Sequence, residues 1–111
     1  MTNFSELRVF LCMTPTSMNF SFDRLMGLAE RIFNQDPLSG HLFLFINRYR
    51  NRIKIFWWDG SGFYIAAKRM RRGGFDFPKN EGAVATMSLV QLAILLKGVD
   101  FTGPPEGEKK R

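Results

Sequence analysis

Asp59-Gly60-Ser61-Gly62 separates two runs, Arg52 to Trp58 and Phe63 to Met70, that are dense in β-branched and aromatic residues. Asp-Gly between such runs is a hairpin signal, because glycine accepts the positive φ that a tight turn demands. A third run, His41 to Asn47, precedes them across a polar loop at Arg48 to Asn51, so the middle of the chain predicts an antiparallel meander. No helical pattern follows Gly60-Ser61-Gly62, which argues for a turn and against a phosphate-binding loop.

The flanks carry a different period. Residues 8 to 13 predict a strand, broken at Thr14-Pro15-Thr16. Met18, Phe22, Leu25, Met26, Leu28, Ala29, Ile32 and Phe33 then recur at spacings of about three and four, which predicts an amphipathic helix from Met18 to Phe33 with Ser17 as N-cap. Asn34-Gln35-Asp36-Pro37 ends it, since proline disfavours helical geometry in the residue before it. Downstream, Arg71-Arg72-Gly73-Gly74 predicts a turn into an extended Phe75 to Phe77, with Asp76 as an exposed strand position. Ser88 and Gln91 fit a capping box that opens a short helix closed by Gly98.

The expected fold is therefore α+β: a small, mostly antiparallel β-meander packed with an N-terminal and a C-terminal helix. A length of 111 residues and an apolar share of 45% suit one domain, placed at residues 1–101. Residues 102–111 are polar and expected to form a disordered tail.

Strand parity sorts the side chains of the meander. Leu42, Leu44, Ile46, Ile53, Ile55 and Trp57 share aliphatic-rich faces, whereas Phe43, Phe45, Arg52, Lys54, Phe56 and Trp58 share the others. Two readings of the second set are open. The aromatics either form a second core under the helix from Ser88 to Lys97, or stand open as a stacking platform for nucleic acid. Packing is the better-supported reading, because apolar-rich sheet faces are ordinarily covered by helices.

The charge of this region is one-sided. From Arg48 to Arg72 eight cations (Arg48, Arg50, Arg52, Lys54, Lys68, Arg69, Arg71 and Arg72) stand against Asp59, and eight less one gives +7, more than the +6 of the whole chain. Arg48, Arg50, Arg52 and Lys54 share parity around one loop, and Lys68 to Arg72 lie at the far end of the neighbouring strand. An anionic partner should meet this block: DNA, or an acidic protein surface. The plain alternative is a solvated basic face without a ligand.

Other chemistry has thin support. One Cys and one His exclude a disulfide framework and a Cys/His zinc site within one chain. Cys12, inside Val9-Phe10-Leu11-Cys12-Met13, reads as a small buried hydrophobe. Asp23, Asp59 and Asp76 show no metal-ligand spacing, and a first helical turn, a hairpin turn and a strand account for them. His41 has no partner nucleophile and reads as structural. No cofactor is expected. The N-terminal residues lack the basic-then-apolar order of a signal peptide, and Leu89 to Leu96 is far short of a membrane span, so a cytoplasmic protein is expected.

Four segments carry a family resemblance: Asp36-Pro37-Leu38-Ser39-Gly40-His41-Leu42-Phe43, Arg52-Ile53-Lys54-Ile55-Phe56-Trp57-Trp58-Asp59-Gly60-Ser61-Gly62, Lys68-Arg69, and Phe75-Asp76-Phe77-Pro78. Weaker matches extend it upstream to Arg8-Val9-Phe10-Leu11 and downstream to Gly98-Val99-Asp100. The chain resembles the TnpB-type accessory protein, the second-reading-frame product of the insertion-sequence-66 family of bacterial transposons. The resemblance implies an accessory role in transposition beside a transposase and a further small protein of the same element; the residues add the expectation of a non-catalytic module that holds DNA, or an acidic surface of the transposase, through its basic hairpin. A pure interaction adaptor, or a domesticated nucleic-acid-binding regulator, is the alternative. One departure stands out: where the family has Met-Arg-Lys-Gly-Phe-Asp, this chain has Met18-Asn19-Phe20-Ser21-Phe22-Asp23, and Arg24 is the nearest replacement cation.

Overall fold

In the computed structural model, which describes residues 6–79 and 82–99, the chain runs β1 (Val9–Cys12), α1 (Phe22–Phe33), β2 (Leu42–Ile46), β3 (Arg52–Trp58), β4 (Phe63–Arg69), β5 (Val84–Met87) and α2 (Leu89–Leu95). The strands form one sheet in the order β4-β3-β2-β1-β5. β1 and β2 pair in parallel, with α1 supplying the long crossover such a pairing needs. The other pairings are antiparallel, so the sheet is mostly antiparallel and carries two helices. β5 and the parallel pair are additions to the meander read from sequence.

β2 reads Leu-Phe-Leu-Phe-Ile without a polar residue because it is central and covered on both faces. Alternation sends Leu44, Ile46, Ile53 and Ile55 to one side, where they meet Val9, Leu11, Phe75, Phe77, Met87 and the α2 residues Leu92 and Leu95. Phe43, Phe45 and Phe56 go to the other, with Cys12 and the α1 stripe Leu25, Ala29 and Phe33. The aromatic set is thus a core, but the helix over it is α1 and not the helix that begins after Ser88. The crossover explains this: α1 leaves β1 and must return to β2, and the Phe33 ring lies 5.4 Å from that of Phe43 and 5.8 Å from that of Phe45. Trp58 is half-buried and tilts against Phe63 at 5.0 Å, outside the fully buried set. Trp57, also half-buried, packs on the aliphatic cluster and stacks on Tyr64 at 5.1 Å.

Three local expectations need correction. α1 starts at Phe22, with Ser21 in the N-cap position and no side-chain cap, not at Met18. The Ser17 hydroxyl instead accepts the Asn19 N–H (3.2 Å), and the Phe20 N–H donates to the Ser17 carbonyl (3.3 Å), so a turn precedes the helix. Met18 and Phe20 still pack on the aromatic cluster, and that burial mimics helical spacing in sequence. Phe75 to Phe77 is not a strand: Gly74 bridges Val99, and the two Phe side chains then anchor a coil in the aliphatic core. The capping box does form, with Gln91 N–H to Ser88 Oγ at 3.1 Å and Ser88 N–H to Gln91 Oε1 at 2.8 Å. The polar tail at 102–111 lies outside the described residues. Among those described, no helix is long and apolar enough to cross a membrane.

Candidate functional site

Antiparallel pairing decides where the cations meet. The register sets Arg52 opposite Arg69, Ile53 opposite Lys68 and Lys54 opposite Ala67, so the start of β3 and the end of β4 form one end of the sheet. The loop between β2 and β3 brings Arg48 and Arg50 to the same end, and the segment after β4 brings Arg71 and Arg72. Arg48, Arg50, Arg52, Arg69 and Arg71 are exposed. Like charges placed directly opposite each other in a sheet repel, so the Arg52–Arg69 pair costs stability rather than adding to it.

The loop that carries two of these arginines is held tightly. Asn47 Oδ1 accepts the N–H groups of Asn51 and Arg52, both at 3.0 Å, and Asn47 Nδ2 donates to Asn51 Oδ1 at 2.7 Å. The Arg50 carbonyl accepts the Phe75 N–H (2.8 Å) and the Asn51 carbonyl accepts the Met70 N–H (2.7 Å), which ties the loop to the segment carrying Arg71 and Arg72. Arg50 itself sits at φ 59, in the left-handed region that favours glycine or asparagine. Beside it Tyr49 is 71% exposed, with the Arg48 guanidinium 5.5 Å from its ring centre.

Two of the eight sequence-predicted cations also bond backbone carbonyls. Lys54 Nζ donates to the Phe20 carbonyl at 2.7 Å, and Lys68 Nζ donates to the Leu96 carbonyl at 2.5 Å. The first ties β3 to the turn before α1; the second satisfies a carbonyl left over at the end of α2, where a cation also suits the helix dipole. Arg72 is half-buried and engaged. Arg24 lies 4.3 Å over the Phe20 ring. The open cations are therefore Arg48, Arg50, Arg52, Arg69 and Arg71.

A cleft of about 370 Å³ lies between residues 15–19 and this loop, with Met18, Asn19, Asn47, Arg48, Tyr49 and Arg52 in its walls. Asn19 thus faces the same space as the basic loop, although no sequence signal linked the two. The remaining candidates have structural partners. His41 Nδ1 accepts the Arg8 N–H at 3.0 Å. Asp59 Oδ1 accepts the N–H groups of Ser61 and Gly62, both at 2.9 Å, and these bonds hold its carboxyl below the usual aspartate value. Asp23 sits in the first turn of α1, and Asp76 is exposed in a coil.

Comparison with known proteins gives the chain its relatives. The family described as IS66 Orf2 like protein matches residues 7–106. A Sinorhizobium fredii protein described as uncharacterized protein y4hO is 35% identical over 101 residues, covering 91% of this chain and 88% of its own. A second from the same organism, uncharacterized protein y4jC, is 28% identical over 96 residues, covering 86% and 82%. No solved structure matches the chain.

Proposed function

The chain belongs to the IS66 Orf2-like family, a family of accessory proteins of transposition, and on that premise we propose that it holds DNA through the basic end of its sheet without cutting it. The observation that supports this is the convergence of Arg48, Arg50, Arg52, Arg69 and Arg71 at one end of the molecule, two of them in cross-strand opposition. Water and salt screen such repulsion between exposed side chains, and a row of phosphates would relieve it further by supplying several charges at once. Lys54, Lys68 and Arg72 belong to the same block of sequence and act as its supports. The protein then serves the transposase of the same element, with a further small protein of that element, by organising the element ends. It does so as a cytoplasmic, non-catalytic component.

Exchange of Arg50 and Arg52 for Lys tests the choice of DNA over an acidic transposase surface. A point charge still neutralises a phosphate, so DNA affinity should be largely retained, whereas an interface of bidentate Arg–carboxylate pairs should lose much more. Transposition in cells should fail when Arg48, Arg50 and Arg52 are reversed to Glu. Magnesium-dependent cutting by the pure protein would contradict the non-catalytic role, and full transposition by the reversed variant would contradict the role of the basic end.

A further inference from the structure

The basic end carries a feature that charge neutralisation leaves unexplained. A tyrosine that is 71% exposed stands in the loop, with the Arg48 guanidinium 5.5 Å from its ring centre. It lines a cleft whose volume, about 370 Å³, falls in the range of small-molecule sites, roughly 300–1,000 Å³. Its walls are mixed in a specific way: the Tyr49 ring and Met18 offer flat or apolar contact, Ser17 and Asn19 offer hydrogen-bonding side chains, and Arg48 and Arg52 bring charge. The loop is also rigid in its bonding, since Asn47 and Asn51 clamp each other across it, and Arg50 is kept in a backbone conformation that a glycine would adopt with less strain.

We infer that this cleft takes an unpaired nucleotide, its base against the Tyr49 ring and its phosphates at Arg48 and Arg52. The inference rests on the DNA reading above and sharpens it to single-stranded or locally opened DNA. Aromatic rings bind bases without choosing among them, because every base has a π-face, and flanking guanidinium groups track the backbone. Duplex DNA offers the ring no base face, since its bases are already stacked on one another. A nucleotide displaced from the duplex can use both the ring and the cations.

The test is fluorescence anisotropy of the full chain on a labelled 12-nucleotide single strand and on a duplex hairpin of matched charge, with Tyr49→Ala and Tyr49→Phe beside the wild type. Loss of a base–aromatic stack is worth about 5- to 150-fold in affinity. Tyr49→Ala should therefore weaken single-strand binding by a factor in that range and leave duplex binding within about two-fold. Tyr49→Phe should behave as wild type, and both variants should melt with the wild type because the side chain is exposed. If Tyr49→Ala binds single strands as well as wild type, or loses equally on both DNA forms, the inference falls while the DNA reading stands. If the wild type binds neither form, the DNA reading falls with it.

Discussion

Arg50 shows most sharply what the basic loop gives up in stability. A non-glycine residue in the left-handed region is disfavoured by roughly 1–2 kcal/mol, and glycine recovers that at an entropic cost of roughly 0.5–1 kcal/mol. Arg50→Gly should leave the protein at least as stable, by roughly 0–1.5 kcal/mol in chemical denaturation, while weakening DNA binding; a large destabilisation would mean that the Arg50 side chain holds the loop. Asp59 illustrates the opposite case, a residue fully explained by its turn. Its lowered carboxyl stabilises the folded state above the ordinary aspartate value, and that contribution disappears as pH falls through the folded value. The melting difference between wild type and Asp59→Ala should accordingly shrink on acidification, and a constant difference would remove the carboxylate from the account. Both turn roles differ in how far sequence reveals them. Asp-Gly announces a hairpin, but nothing in the string Asn47-Arg48-Tyr49-Arg50-Asn51 marks which residue takes the positive φ.

At the scale of elements, the strands of the meander and the capping box of α2 were legible because their signals are local: alternation, Asp-Gly, and Ser-x-x-Gln. The misplacements arise where tertiary contact overrides such signals. The turn from Ser17 to Ser21 mimics the first turn of a helix because Met18 and Phe20 pack on the same cluster as Leu25 and Ala29. Phe75 and Phe77 alternate like a strand, yet they are buried as anchors with no ladder beside them. The roles of Lys54 and Lys68 were invisible for a plainer reason, since each bonds a carbonyl about thirty residues away in sequence. These two cations should separate from the arginines in experiment. Lys54→Met removes a charged donor from the part-buried Phe20 carbonyl and should cost about 1–3 kcal/mol. Arg52→Ala and Arg69→Ala should each change stability by less than about 0.5 kcal/mol, or raise it slightly as repulsion is relieved, while reducing DNA affinity. Denaturant melts and anisotropy on the same set would overturn the division of labour if Lys54→Met proved neutral to folding and Arg52→Ala costly.

For the whole molecule, α1 packs on one face of the sheet and α2 with Phe75 and Phe77 on the other, while the edge strand β4 stays largely exposed, with Tyr64 at 53%. At the end where β3 begins and β4 finishes, the five exposed arginines Arg48, Arg50, Arg52, Arg69 and Arg71 gather. Sequence charge located that region, and only the register showed that its two halves are one surface. The most direct test is the salt dependence of duplex DNA binding by the wild type and by a variant with Arg48, Arg50, Arg52 and Arg69 all replaced by Gln. Each phosphate contact adds about −0.9 to the slope of log K against log salt. The slope for the variant should be shallower by roughly 2 to 4, with its melting temperature maintained. An unchanged slope in a folded variant would show that DNA is held elsewhere, and the basic end would be no more than a solvated surface.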